Sequence, residues 1–286
     1  MPKALINGIN LYYEVHGEGS PLIWCHEFAG DYRSWEPQVK FFSQRYRVIT
    51  YNARGYPPSD VPTDPESYSQ EQSVEDLLGL LKYLGIEQAH IGGLSMGGNV
   101  VLNFGLKYPQ MAKSLIVAGT GSGSTDVESF KRHVEEIAHR IETEGISSLA
   151  DFTRGPSRMQ LLRKDPIGWQ KFADQLFQHS EEGSALTIRG VQKRRPSIFD
   201  LEPKLRSLNV PTLIMVGDED DLCIEPSIFM KRCIPMSGLV MFPQSGHPIN
   251  LEEPDLFNRV VQNFLTAVEA GTWVKRDTGM ASESLS

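Results

Sequence analysis

A chain of 286 residues, 40% hydrophobic with 13 Phe and 4 Trp, has room for one large α/β domain, or for one such domain carrying an insertion. Its formal net charge of −8 excludes nucleic acid as the main partner, because phosphate binding needs a basic face. No stretch approaches the roughly 20 apolar residues of a membrane span, and Cys25, Cys223 and Cys233 form neither a C-x-x-C pair nor a disulfide framework. Reduced thiols in a cytoplasmic protein are therefore expected, and the N-terminus carries no apolar run of signal-peptide length.

In chain order, Ala4–Gly8 and Asn10–His16 read as two strands joined by a tight turn at Asn7-Gly8, a dipeptide that tolerates positive φ. Short apolar runs follow at Leu22–Cys25, Val48–Tyr51, His90–Gly92, Ser114–Ala118, Thr212–Val216 and Leu239–Phe242. They lack strict alternation, which suits strands buried on both faces of a parallel sheet. Amphipathic segments separate several of them. Ser73–Leu84 carries apolar residues at helical spacing and ends at Gly85, and Glu253–Ala270 is a closing helix with Pro254 in its first turn. Alternation of this kind predicts a doubly wound, mostly parallel sheet.

Between Gly121 and Leu208 the alternation stops. Val127, Phe130, Val134, Ile137, Ala138 and Ile141 fall on one helical face, opened by Thr125-Asp126 and closed by Gly145. Ile167–Phe177 and Ala185–Val191 also read as helices, and the basic run Lys193-Arg194-Arg195 as a solvated helix end. The expected organisation is a core of residues 1–121 and 209–270, a helical cap at 122–208 that can exclude water from a site, and a frayed polar tail at 271–286.

The chemical signal lies at Gly93, Ser95 and Gly97, which spell G-x-S-x-G between a strand and a helical pattern. A serine on such a sharp strand-to-helix turn is exposed as a nucleophile, and the helix start aims N–H groups at developing negative charge. The bland alternative is a glycine-rich turn with a bystander serine. The order of the later candidates argues against it. The strand Thr212–Val216 runs into Gly217-Asp218-Glu219-Asp220-Asp221, and the last strand is followed by Ser245-Gly246-His247. Ser, Asp and His, each just after a strand, stand where open α/β sheets put their sites. Of the other histidines, His26 reads as a turn-stabilising residue, and no pair has metal-ligand spacing on a helix. Gly119-Thr120-Gly121-Ser122-Gly123 does not spell a dinucleotide fingerprint. Neither a metal nor another cofactor is expected.

These motifs, with Trp24-Cys25-His26-Glu27-Phe28-Ala29-Gly30 after a strand, resemble the α/β-hydrolase superfamily in its capped single-domain form over residues 1–270. The resemblance implies a triad of Ser95, Asp220 and His247. It selects Asp220 over Asp218 and Asp221, because the family's acid commonly falls three residues after the strand-ending glycine. It also implies an oxyanion hole from the backbone N–H groups of Phe28 and Met96. The expected reaction is hydrolysis of a small carboxylic ester or lactone. Amide or carbon–carbon bond cleavage is the alternative, and a hydrolase-like small-molecule receptor is the reading from another class. Oligomeric state is not legible in the sequence.

Two positions depart from the family pattern. Asn52 replaces an acidic residue in Tyr51-Asn52-Ala53-Arg54-Gly55, and Glu27 replaces a glycine. Glu27 is expected to turn away from the oxyanion hole and pair with a base, with Arg54 the named candidate; facing the substrate pocket is the alternative. Phe130, Val134, Trp169, Phe172 and Phe177 are the apolar candidates for lining that pocket.

Overall fold

Asn7 and Gly8 take φ of 47° and 81° and fold β1 (Lys3–Ile6) onto β2 (Ile9–His16), with Ile6 opposite Ile9. The computed structural model describes residues 2–276. Six further strands follow: β3 (Ser20–Cys25), β4 (Tyr46–Tyr51), β5 (Ala89–Leu94), β6 (Ala112–Ala118), β7 (Thr212–Gly217) and β8 (Ser237–Phe242). Each contains one of the apolar runs read from the sequence. The eight form one sheet in the order β1-β2-β4-β3-β5-β6-β7-β8. β1, β2 and β4 pair antiparallel, and every pair from β4 to β8 is parallel.

The helices among the described residues are α1 (Glu36–Phe42), α2 (Gln70–Tyr83), α3 (Met96–Lys107), α4 (Val127–Glu144), α5 (Met159–Lys164), α6 (Pro166–Leu176), α7 (Glu181–Thr187), α8 (Glu202–Ser207), α9 (Asp221–Cys233), α10 (Ile249–Glu252) and α11 (Pro254–Glu269). One face of the sheet packs on α2, α3, α8 and α9 through Leu77, Leu81, Val101, Phe104, Leu205 and Met230. The opposite face packs on α1 and α11, and there Trp24 stacks on Trp35 with centroids 4.5 Å apart. Two covered faces explain why the parallel strands read as apolar runs rather than alternating ones.

α4 to α8 all fall between β6 and β7, and no strand interrupts them among the described residues. α4 starts where its cap predicts: the Asp126 carboxylate accepts the Ser129 N–H at 3.0 Å. It ends at Gly145, whose φ is 83°. The helical block has its own apolar cluster, which takes in Phe28 and Tyr56 from the loops after β3 and β4 and Met96 from the start of α3. The segment Ala185–Val191, read as one helix, divides into α7 and a π turn at Ile188–Gln192. Within the expected tail, Trp273 is held against the core. Trp273 packs edge-on against Phe264 and donates its indole N–H to Met236 O at 2.9 Å, an aromatic anchor that low hydrophobicity around it concealed. The remainder of that expectation, residues 277–286, lies outside the described residues.

Candidate active site

The carboxyl ends of β3, β5, β7 and β8 deliver the loops that carry His26 to Phe28, Ser95, Asp220 and His247. Ser95 has φ 56° and ψ −112°, a conformation costly for any residue with a side chain. It persists because its surroundings hold it. Ser95 N–H donates to Ala118 O at 2.8 Å, and Asn99 returns both its backbone and side-chain N–H to Ser95 O. The glycines of the motif have a steric cause. A Cβ on Gly93 would lie 2.5 Å from the backbone of Gly97, and one on Gly97 would lie 2.1 Å from Cys25 O. Met96 is the first residue of α3, so its N–H has no acceptor within the helix.

Asp220 is 3% exposed, and its Oδ2 meets His247 Nδ1 at 2.7 Å. That partner assigns the imidazole proton to Nδ1 and leaves Nε2 as an acceptor. Burial opposes both charges, but their attraction outweighs it: His247 is raised above its ordinary value, and the Asp220 carboxyl is held below its own. Asp218 does different work, accepting the Ser245 N–H at 3.1 Å and tying the two loops together. Asp221 is the first residue of α9. The loop of His247 is held from its other side, where His247 N–H donates to Ser157 O at 2.6 Å and Gly246 N–H to a buried Glu252 carboxylate at 2.6 Å. Burial lifts Glu252 to about 7 against the pull of that N–H.

Cys223 lies close to Asp220 and His247, with all three donor atoms within 4.8 Å of one another. The set does not fit a resident metal. The carboxylate and the imidazole are closed on each other, and burial pushes the Cys223 thiol well above its usual range, away from the thiolate a metal binds.

After β3, His26 Nε2 accepts the Ala53 N–H at 3.0 Å, so Nδ1 carries the proton and donates to Glu27 O at 2.7 Å. Burial lowers His26 to about 4, keeping it neutral. A trans peptide sends its N–H opposite to its C=O, so this bond fixes the direction of the Phe28 N–H, which donates to no acceptor among the described residues. Tyr56 Oη fixes the next peptide by donating to Phe28 O at 3.0 Å. The turn-stabilising reading of His26 agrees with this geometry. Asn52 is likewise part of a turn, accepting the Tyr32 N–H and donating to Pro57 O, each at 2.8 Å.

Glu27 has a different partner from the candidate named, and it takes the alternative direction, toward the cavity rather than away from it. Arg54 is taken by Asp76, with Nε to Oδ2 at 2.6 Å and Nη2 to Oδ1 at 2.9 Å. Glu27 instead forms a two-pronged pair with Arg158, whose Nη1 donates to Oε1 at 3.1 Å and whose Nη2 donates to Oε2. The pair faces the site rather than leaving it: Glu27 Oε2 lies 4.0 Å from His247 Nε2. Burial opposes ionisation of Glu27, but Arg158 outweighs it and holds the carboxyl below its usual range.

A cavity of about 130 Å³ joins these groups, with Glu27, Ser95, Arg158, Asp220 and His247 on its wall. Phe28, Phe130, Val134, Ile137, Phe152 and Ile188 supply its apolar side. Phe130 and Val134, two of the apolar candidates, lie on this wall. Trp169, Phe172 and Phe177 do not reach the cavity; they pack inside the helical block, where Trp169 also donates to Thr153 O at 2.8 Å. Arg158 was missed, since it stands in a short irregular turn where no periodicity marks it. A larger surface groove of about 550 Å³, bordered by Gln70, Lys107 and Arg194, includes none of the candidate catalytic residues.

Comparison with known proteins extends the picture. The family model described as the alpha/beta hydrolase fold matches residues 20–254. The chain is similar to 3-oxoadipate enol-lactonase 1 of Acinetobacter baylyi, at 28% identity over 92% of this chain and 95% of that one. It is also similar to the proline iminopeptidase of Saccharolobus solfataricus, at 28% identity over 94% and 93%. Among solved structures, a thermophilic esterase from Thermogutta terrifontis superposes with a TM-score of 0.81 at 28% identity, covering 93% of this chain and 98% of that one.

Proposed function

Because this chain belongs to the alpha/beta hydrolase fold family, we propose that it is a serine hydrolase cleaving a small carboxylic ester or lactone through an acyl-enzyme on Ser95. The observation that carries the reading is the buried Asp220–His247 hydrogen bond of 2.7 Å, on the wall of the same cavity as Ser95. Ser95 Oγ attacks the acyl carbon while His247 Nε2 takes its proton. Asp220 keeps the imidazole in the required tautomer and stabilises the imidazolium. The N–H groups of Phe28 and Met96 bind the oxyanion, each contributing on the order of 3 kcal/mol to the transition state. His247 then returns the proton to the leaving alcohol, and water, activated by the same nitrogen, releases the acid.

Three features support this choice. The cavity is small and mostly apolar, which suits a short acyl group. The relatives' names include a lactonase and an esterase beside a peptidase, and an ester or lactone demands least of its leaving group. The helical block between β6 and β7 supplies Phe130, Val134 and Arg158 to the wall, which supports reading residues 122–208 as a cap. Three free, buried cysteines, and no described helix long and apolar enough to cross a membrane, fit a cytoplasmic enzyme.

A screen of short-chain nitrophenyl esters, lactones and anilides tests the reading. Turnover of an ester or lactone is expected, lost almost entirely in Ser95→Ala and reduced about 10⁴-fold in Asp220→Asn, with Asp218→Asn far milder. Full activity in Ser95→Ala would overturn it. Tight binding of these compounds without product would favour a receptor.

A further inference from the structure

Glu27 and Arg158 are 2% and 3% exposed, yet both border the cavity beside Ser95. A guanidinium so placed is the natural holder of a substrate carboxylate, since its planar fork matches a carboxylate's two oxygens. Here the fork is already filled. Nη1 and Nη2 both donate to Glu27, and the guanidinium is clamped between the rings of Phe152 and Phe172, 4.6 and 5.1 Å from their centroids. Both of its terminal nitrogens are therefore engaged before a substrate arrives. Its Nε, buried and without an acceptor among the described residues, offers a single N–H rather than a fork.

We propose that Glu27 is a resident carboxylate occupying the position on Arg158 that an anionic substrate would take, so that the site accepts neutral acyl groups and turns anionic ones away. This rests on reading the site as a serine hydrolase. The charge balance of the wall points the same way. Glu27 and Asp220 are two carboxylates against one guanidinium, and His247 is neutral when it acts as a base; His133, also at the cavity, is exposed. An acyl group bearing a carboxylate would bring a third negative charge to this wall, on which the described residues place no second guanidinium or ammonium group; Arg195 lies off it, stacked on Phe130 at 5.3 Å and donating to Ser122 O and Oγ. To reach the fork it would have to displace Glu27, leaving a buried carboxylate unpaired, which is strongly unfavourable. A neutral acyl chain can pack on Phe130, Val134 and Ile137, and an ether, keto or amide oxygen on it could accept the Nε–H. Replacing Glu27 with an uncharged isostere should open Arg158 to anions.

The test compares kcat/KM for 4-nitrophenyl butyrate and the 4-nitrophenyl monoester of succinic acid, which differ by a terminal carboxylate. Wild-type enzyme should prefer the butyrate at least tenfold, and Glu27→Gln should move the ratio at least tenfold toward the succinate. A wild-type preference for the succinate, or a ratio unchanged within twofold in folded Glu27→Gln, overturns the proposal. Should that variant fail to fold, inhibition of wild type by propylboronic acid against 2-carboxyethylboronic acid reads the same preference: tenfold weaker inhibition by the carboxylate compound supports it, and equal or tighter inhibition overturns it. Turnover of neither ester, with Ser95 unlabelled by a fluorophosphonate, removes the hydrolase reading and this proposal with it.

Discussion

Two arginine–carboxylate pairs are buried in the fold, Arg54–Asp76 and Arg158–Glu27, and they differ in how completely they are satisfied. Arg54 and Asp76 form a closed network: Arg54 Nη1 also donates to Ser67 O at 2.8 Å, and Asp76 also accepts from Asn7 at 2.9 Å and Gln72 at 3.0 Å. Arg158 and Glu27 are as deeply buried, but Arg158 Nε has no partner among the described residues and Glu27 lies 4.0 Å from His247 Nε2, the proposed general base. Unsatisfied polarity in a dry interior is costly. The closed pair fixes a turn. The open one holds charge on the wall of the cavity beside Ser95.

The sharpest way to break that contrast is to remove each guanidinium in turn. Arg54→Gln should destabilise the fold by about 3–5 kcal/mol, while kcat of the folded fraction stays within twofold. Arg158→Gln should lower kcat/KM by about 100-fold, some 2.7 kcal/mol of transition-state stabilisation, because it exposes the oxyanion to an unpaired carboxylate. Adding Glu27→Gln to Arg158→Gln should recover at least tenfold. Denaturation curves and steady-state kinetics on the three proteins decide it. If Arg54→Gln abolishes turnover, or Arg158→Gln affects stability alone, the two pairs do the same work.

The pH profile sharpens the same contrast. The pairing with Asp220 raises His247, so its imidazolium persists to higher pH than a free histidine's, and kcat/KM should fall on the acid side below a midpoint above ~6.5. Glu27 favours that imidazolium and Arg158 opposes it. Glu27→Gln should therefore move the acid limb down and Arg158→Gln should move it up. Arg54→Gln should leave it in place. Activity flat to about pH 4 would contradict a histidine base.

How much of this was legible in the sequence follows from the range of the forces involved. The elbow is local: Gly93 and Gly97 are dictated by approaches within a few residues and to the neighbouring strand, and the motif announces itself. His247 and the acidic run Asp218–Asp221 stood out because each comes soon after a strand, and family resemblance chose Asp220 within that run. Arg158 could not. Its contact with Glu27 spans 131 residues, and it stands in the short turn Pro156–Arg158, which has neither period nor cap. Arg54 was the wrong partner for Glu27 because sequence cannot show that α2 brings Asp76 beneath it. Trp169, Phe172 and Phe177 share a different cause. Helical periodicity marks a buried face, and it does not distinguish a face buried against other helices from one bordering a cavity.

The smallest effect expected lies one layer behind the site. Burial raises Glu252 to about 7, so the folded state holds this proton more tightly than the unfolded chain does. Its contribution to stability is complete below the unfolded carboxyl's range and is lost as pH rises through about 7. Glu252→Gln keeps an acceptor for the Gly246 N–H without the charge. It should raise Tm by about 2–4 °C at pH 8 and leave it unchanged at pH 5. A rise of equal size at both pH values would mean that titration of this carboxyl is not the cause.

The measurement that bears most directly on the central claim is the site of covalent capture. Incubated with a fluorophosphonate, the protein should gain the mass of one phosphonyl group, and peptide mapping should assign it to Ser95, with none added to Ser95→Ala. Labelling at a different serine, or undiminished labelling of Ser95→Ala, would contradict the account.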